Sequence, residues 1–192
     1  SVSAPAAMIG RIGYATFKEA FAAANGQQLA EGEEAAPVTI ELVRDVTLGA
    51  DEILSVDLAG LDVTLDLAGN TIDASFVAAS AASVKLVIYV RGEGASLTVK
   101  NGEIVNTGTV NGIFAIENDV NAELTIDGVS VNVRGGANAA IINARGGKTT
   151  VINSELVSYG VGSIVVRQAN NAEIIITKTT LMNIDGTSGT SG

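Results

Sequence analysis

One phrase of alternating apolar and polar residues returns at nearly constant spacing through most of the chain, and this repeat limits the possible folds more than any other feature. Its first copy is "VTIELVRDVTL", residues 38–48. Aligned on an inward residue, six copies start at Ile40, Leu65, Leu97, Leu124, Thr149 and Ile174, at spacings of 25, 32, 27, 25 and 25. A second apolar column follows two residues later, at Leu42, Leu67, Val99, Ile126, Val151 and Ile176; this is the period of a strand with one buried face. A third stands five residues further on, at Ile72, Ile104, Val131, Leu156 and Leu181, with Val46 or Leu48 in the first copy. Corner residues separate the second and third columns: Gly69, Asn101, Gly128 and Asn153, with Arg44 and Lys178 in the outer copies. Three residues before each strand stands another turn former: Pro37, Asp62, Gly94, Asn121, Gly146 or Asn171.

The second half of each copy holds a further apolar strand: "EILSVDL", "KLVIYV", "GIFAI", "AAIINA" and "SIVVR". Three short strands per period are too many for a helical solenoid, and the chain between them is too short for a βαβ unit. Coiling solves the pairing problem, because each strand then bonds to its equivalent one turn along. The fold expected is an all-β, right-handed, single-stranded parallel β-helix of about six coils, roughly 25 to 30 Å long. An antiparallel sandwich also has regular short strands, but gives no reason for turn residues to keep one phase. The longer second interval places the loop "ASFVAASAAS", 74–83, outside the coil. One structural domain is expected, with an extension and capping helix over 1–26, the β-helix over 38–185 and a Gly/Ser/Thr tail over 186–192.

The two ends differ. In "GYATFKEAFAAANG", Thr16 and Glu19 make a capping box, Phe17, Ala20, Phe21 and Ala24 share one face, and Asn25-Gly26 stops the helix. This helix is expected to plug the first coil. At the other end "EIIITKTTLMNID" runs straight into "GTSGTSG", so that end reads as open. With four Phe, three Tyr and no Trp, the interior must be built from Val, Ile, Leu and Ala. The chain has no Cys and no His, which excludes disulfides, thiolate metal sites, the usual zinc ligand and Ser-His or Cys-His relays. A formal charge of −10 argues against nucleic acid or an anionic membrane as partner. No apolar run approaches the ~20 residues of a membrane span.

The stretch "IGYATFKEAFAAANG", followed by "VTIELVRDVTL" and "LDVTLDLAGNTI", resembles bacterial surface proteins of the pectate-lyase-like β-helix superfamily. There an I-G-x-x-x-Y-A-T opening forms a cap, and a T-I-x-L-x-x-D-V-T-L … L-D-L-N-G-x-T-I pair forms the first coils. The likeness covers residues 8–73; here the opening is shorter, and Ala68-Gly69-Asn70 stands where Asn-Gly-Lys is commoner. The resemblance implies the fold and a secreted or cell-surface location, of a non-catalytic type. The small, uncharged "SVSAPAA" start agrees with a signal peptide already removed.

Enzymes of this fold carry acids and bases on the outer face of one sheet. One outward column reads Thr71, Glu103, Ser130, Glu155, Thr180, with Glu103 and Glu155 two coils apart, roughly 10 Å. That is near the upper end of the ~6.5 to 9.5 Å of an inverting pair. Outward acids also simply keep a solenoid soluble, and no base stands in the column, so no enzymatic activity is expected. Glu117 and Asp119, with Asn121 and Glu123, are candidate Ca²⁺ ligands, although a solvated acidic turn is the preferred reading. No cofactor is expected. Thr98, Thr125 and Thr150 form an outward threonine ladder, read as β-propensity, and "RGGANAA" and "ARGGKTT" are read as turns. What remains is the rod itself. The function expected is an extracellular structural subunit that associates with copies of itself, end to end or by strand exchange, in a filament or layer. Assembly residues are then Val2, Met8 and Ile9 in the extended start, which could add to an exposed edge, and Ile174, Ile176, Leu181 and Ile184 at the open end. The alternatives are a glycan- or host-binding module of an adhesin, and a polysaccharide-degrading enzyme.

Overall fold

The computed structural model describes residues 4–49, 52–75, 86–106, 115–134, 140–160 and 162–184. The chain winds as a parallel β-solenoid of about five turns with three faces. The first face stacks β3 (Val38–Leu42), β6 (Asp62–Asp66), the first half of β9 (Ser96–Asn106), the first half of β11 (Glu123–Arg134), β13 (Lys148–Ile152) and β16 (Glu173–Thr177). The second stacks β4 (Val46–Thr47), β7 (Thr71–Asp73), the second halves of β9 and β11, β14 (Glu155–Tyr159) and β17 (Thr180–Ile184). The third stacks β5 (Leu54–Val56), β8 (Leu86–Val90), β10 (Ala115–Asn118), β12 (Ala140–Ala144) and β15 (Ile164–Gln168). These last are the five strands expected in the second halves of the copies. Most of the expected loop at 74–83 lies outside the described residues; Ala74 itself is buried.

The interior is a set of aliphatic ladders. One runs Ile40, Leu65, Val99, Ile126, Val151, Ile176, and another Val46, Ile72, Ile104, Val131, Leu156, Leu181. The first differs from the sequence alignment, which set Leu65 beside Leu97. The structure pairs Val63 with Leu97 and Leu65 with Val99. The cause is a wide corner in the second coil, where Ala68 and Gly69 both take positive φ (49° and 80°) and Leu67 turns inward as an extra core residue. Its side chain occupies the place beneath Gly102, where a Cβ would stand 2.3 Å from Leu67 Cβ. The later corners are tight. A single residue at positive φ suffices: Asn101 at 60°, Gly128 at 66°, Asn153 at 52° and Lys178 at 47°. Asn101 and Asn153 each donate from Nδ2 to an aspartate one coil below, Asp66 and Asp127.

Turns between the third and first faces also stack, with Gly60, Gly94, Asn121 and Asn171 at positive φ. In the fifth copy the left-handed residue is Gly147 (φ 60°) rather than Gly146, because Arg145-Gly146-Gly147 reaches β13 with one residue fewer than Asp119-Val120-Asn121-Ala122 uses to reach β11. The short turn presses on its neighbour: a Cβ on Gly147 would lie 1.9 Å from the Ala122 carbonyl oxygen. Inside this corner Asn118, fully buried, donates from Nδ2 to the carbonyl of Lys148 at 3.0 Å and lies within reach of the carbonyls of Ala122 and Gly146. It also meets the buried Thr149 hydroxyl at 3.3 Å. Thr149 therefore stands in an aliphatic ladder as half of a polar pair.

The start of the solenoid is closed by two elements. The helix α1 (Phe17–Asn25) packs on the first-coil strands with Phe17, Ala20, Phe21 and Ala24 buried, as its periodicity predicts. Thr16 Oγ1 accepts the Glu19 amide, and Glu19 answers by accepting the amide of Ala15. At its other end Gly26 keeps φ −84°, so the stop is made by the Asn25 side chain, which donates to the carbonyls of Phe21 and Ser55 and accepts the amides of Asp57 and Leu58. Before the helix, β1 (Ala7–Ile9) and β2 (Ile12–Tyr14) form a hairpin, and β1 lies antiparallel on β3. The sequence reading, an extended segment, missed this hairpin.

Candidate functional site

Three regions carry the candidate residues. The first is the far end of the rod. Among the described residues, nothing pairs with the outer edge of β16, and β17 pairs only with β14. The ladder residues Ile174 and Ile176, buried in equivalent positions of earlier coils, are only partly buried here, while Leu181, Met182 and Ile184 are 43%, 44% and 48% exposed. Ile174, Ile176 and Leu181 repeat inward positions that a neighbouring coil covers elsewhere, whereas Met182 and Ile184 continue outward columns that hold Asn132 and Val157, and Arg134 and Tyr159, in earlier coils. Of the other expected assembly residues, Met8 and Ile9 lie in β1, bonded within the chain to β2 and β3. Val2 lies outside the described residues.

The second region is the outer face of the third sheet. Two outward columns run side by side, Ser55, Tyr89, Glu117, Asn143, Arg167 and, two residues on, Asp57, Arg91, Asp119, Arg145. Charges alternate in sign up the second column, as neighbours 4.8 Å apart must if they are to attract. Arg91 bonds Asp57 and stacks over the Tyr89 ring at 5.3 Å. The Tyr89 hydroxyl donates to Asp119 at 2.7 Å. Glu117, only 5% exposed, accepts from Asn143 Nδ2 at 2.9 Å and Arg145 Nη1 at 3.1 Å. Burial, the bond to Asp119 and the nearby negative charges of Asp119 and Glu117 push Tyr89 up to about 12. The same bond, more than any other contact, holds Asp119 below the usual carboxylate range. Glu117 and Asp119 are thus paired to an arginine and a tyrosine. Their expected calcium partners stand elsewhere, Asn121 in the turn, donating to Glu93, and Glu123 at the start of β11 on the first face. Among the described residues no three acidic side chains gather as metal ligands.

The third region is the Glu103 column. The register joins Thr71, Glu103, Ser130, Glu155 and Thr180 in that order, as the repeat predicts. Both acids are exposed, with Ser130 between them. Glu155 lines an open groove of about 420 Å³ with Ser130, Lys178 and Thr180, and Glu103 is outside that lining. A larger groove, about 610 Å³, follows the notch left by Gly146 and Gly147 and is bordered by Glu93, Glu123, Lys148 and Glu173. On the first face the threonine ladder is longer than the sequence alignment suggested, running Thr39, Thr64, Thr98, Thr125, Thr150. It is flanked by charged columns.

Tyr89, Asn143, Arg91 and Asp57 escaped the sequence reading. Their signal is the alternating-sign column on the third face, which emerges only when that face is aligned on its own. Among the described residues no helix is long and apolar enough to cross a membrane. Of the expected resemblance, the structure shows the architecture alone, a parallel β-solenoid. No protein-family model matches the chain, and no curated protein and no solved structure shows a match to it.

Proposed function

We propose that the chain is a non-catalytic structural subunit of an extracellular assembly, whose copies join through the C-terminal end of the solenoid. One observation carries this reading: a helix caps the core of the first coil, yet the last described coil has no cap among the described residues and leaves the β16 edge unpaired and Leu181, Met182 and Ile184 nearly half exposed. An unpaired strand edge backed by apolar side chains is a template for another chain. The extracellular location rests on the resemblance of residues 8–73. Light scattering and negative-stain electron microscopy over a concentration series test the proposal. Stacks or filaments are expected, with the half-association concentration raised at least tenfold in the Leu181→Lys, Met182→Lys double variant. A 19.4 kDa monomer at every concentration overturns it.

A glycan- or host-binding module is the second reading. The outer strip of the third sheet favours it, since Tyr89, Arg91, Asn143 and Arg145 set an aromatic ring among hydrogen-bonding groups. Binding to immobilised polysaccharide that Tyr89→Ala abolishes, with assembly absent, would replace the first reading by this one.

A further inference from the structure

We propose that copies of the chain join head to tail, with β16 of one subunit pairing in parallel with β2 of the next; this rests on the assembly reading above and gives it a partner surface and a register. The argument begins with strand direction. β1 is antiparallel to β3 and β2 is antiparallel to β1, so two reversals return β2 to the direction of β3. β3, β6, β9, β11, β13 and β16 are mutually parallel. Among the described residues the sheet therefore presents two edges running the same way, β2 at the start and β16 at the finish. A parallel contact between copies extends the existing ladder without changing its hydrogen-bond pattern.

The side chains agree with the backbone. Ile9 pairs with Ile12, and through the register at Ala7 and Leu42 it stands on the line of Ile40, so Ile12 belongs to the same inward ladder as Leu65, Val99, Ile126, Val151 and Ile176. That ladder is incompletely covered at both extremes: Ile12 is 61% exposed, and Ile176 is partly buried where the earlier members are fully buried. Setting Ile176 of one copy against Ile12 of the next continues the ladder across the junction. Arg11, exposed in the Gly10-Arg11 turn just before β2, then comes level with Ile175 and near Glu173, which brings unlike charges within reach of each other. A contact that joins two different surfaces generates a fibre unless its rotation closes a ring, and here the copies stack along the rod axis. The first-face sheet has eight strands from β2 to β16, so at about 4.8 Å per strand the axial repeat is roughly 38 Å.

The absence of cysteine makes a site-specific cross-link free of background. Arg11→Cys and Ile175→Cys alter two exposed positions, and circular dichroism and thermal melting check that each variant keeps the fold. Each is treated alone and as an equal mixture with a short bis-maleimide, alongside light scattering of the unmodified chain. Head-to-tail contact predicts a cross-linked dimer in the mixture at a yield at least tenfold above either variant alone, and filaments with an axial repeat near 38 Å. Dimers from Ile175→Cys alone would mean tail-to-tail contact; the assembly reading would stand and the head-to-tail register would fall. Unmodified chain that remains monomeric throughout, with no cross-link in the mixture, overturns both.

Discussion

At Gly147 the fold leaves no room for even a methyl group. The residue combines a positive φ of 60° with a Cβ position 1.9 Å from a backbone oxygen of the neighbouring coil. Gly94, the matching turn glycine two coils earlier, has a similar φ of 66° and open space around it. The pair separates two costs that sequence alone merges. Gly94→Ala bears only the left-handed backbone penalty, about 1 kcal/mol, whereas Gly147→Ala must also displace the Ala122 peptide, and a loss of about 3 kcal/mol or more is expected. Urea denaturation of both variants checks this, and equal losses would refute the packing argument. Tyr89 supports a different measurement. Its pKa lies above the unfolded value of 10, so its contribution to stability is complete below pH 10 and fades as pH rises toward about 12. Tyr89→Phe loses the bond to Asp119, about 1 kcal/mol near neutral pH, and also loses that alkaline fade. The two denaturation midpoints should converge between pH 10 and 12. Parallel pH profiles would show that the hydroxyl bond contributes nothing. In the acid direction Asp119 acts oppositely: its depressed pKa gives stability that is present above the usual carboxylate value and lost as pH falls.

Among the elements, the capping helix was the easiest to read from sequence. Every signal that defines it is local: a threonine acceptor three residues before a glutamate, and four apolar residues on one face. Phe17 and Phe21 meet edge to face, centroids 6.3 Å apart, above the first coil. Phe21→Ala should cost about 3 to 4 kcal/mol from the cavity left, seen as a lower thermal midpoint. A loss under 1 kcal/mol would mean that the helix lies on the rod without sealing it. The hairpin β1–β2 was not legible, because three-residue strands carry too few positions to show a period. The register of the second coil was misread for a related reason. Leu67 is apolar and correctly spaced, and only the structure reveals that the wide corner at Ala68-Gly69 makes it an extra core residue rather than a ladder member. The outer strip of the third sheet stayed hidden because the intervals from Ser55 to Tyr89, Glu117, Asn143 and Arg167 differ from one coil to the next. By contrast the Glu103 column was found, since from Asn101 onward its corners hold one left-handed residue each and keep phase.

In the whole molecule, stability is a sum over neighbouring coils, and a coil with one neighbour is held less firmly than a coil with two. The middle of the rod is doubly secured: β9 and β11 run unbroken through the tight corner for 11 and 12 residues and pair along both faces. Toward the C-terminus each of these long strands is replaced by two short ones, and the last pair, β16 and β17, has a partner on one side only among the described residues. Local opening should therefore be cheapest there, and amide hydrogen exchange should rank β16 and β17 fastest among the strands and β9 and β11 slowest. This gradient also reports on function. If the open end is where copies meet, protection of β16 must rise with protein concentration as a second chain supplies the missing hydrogen-bond partners, while β9 and β11 stay unchanged. Under the head-to-tail register the short edge strand β2 must gain protection over the same concentration range, because its free edge is buried in the same contact. Exchange in β16 and β2 that is independent of concentration would leave the rod with an end that is merely frayed, and assembly would then have no structural basis in this end.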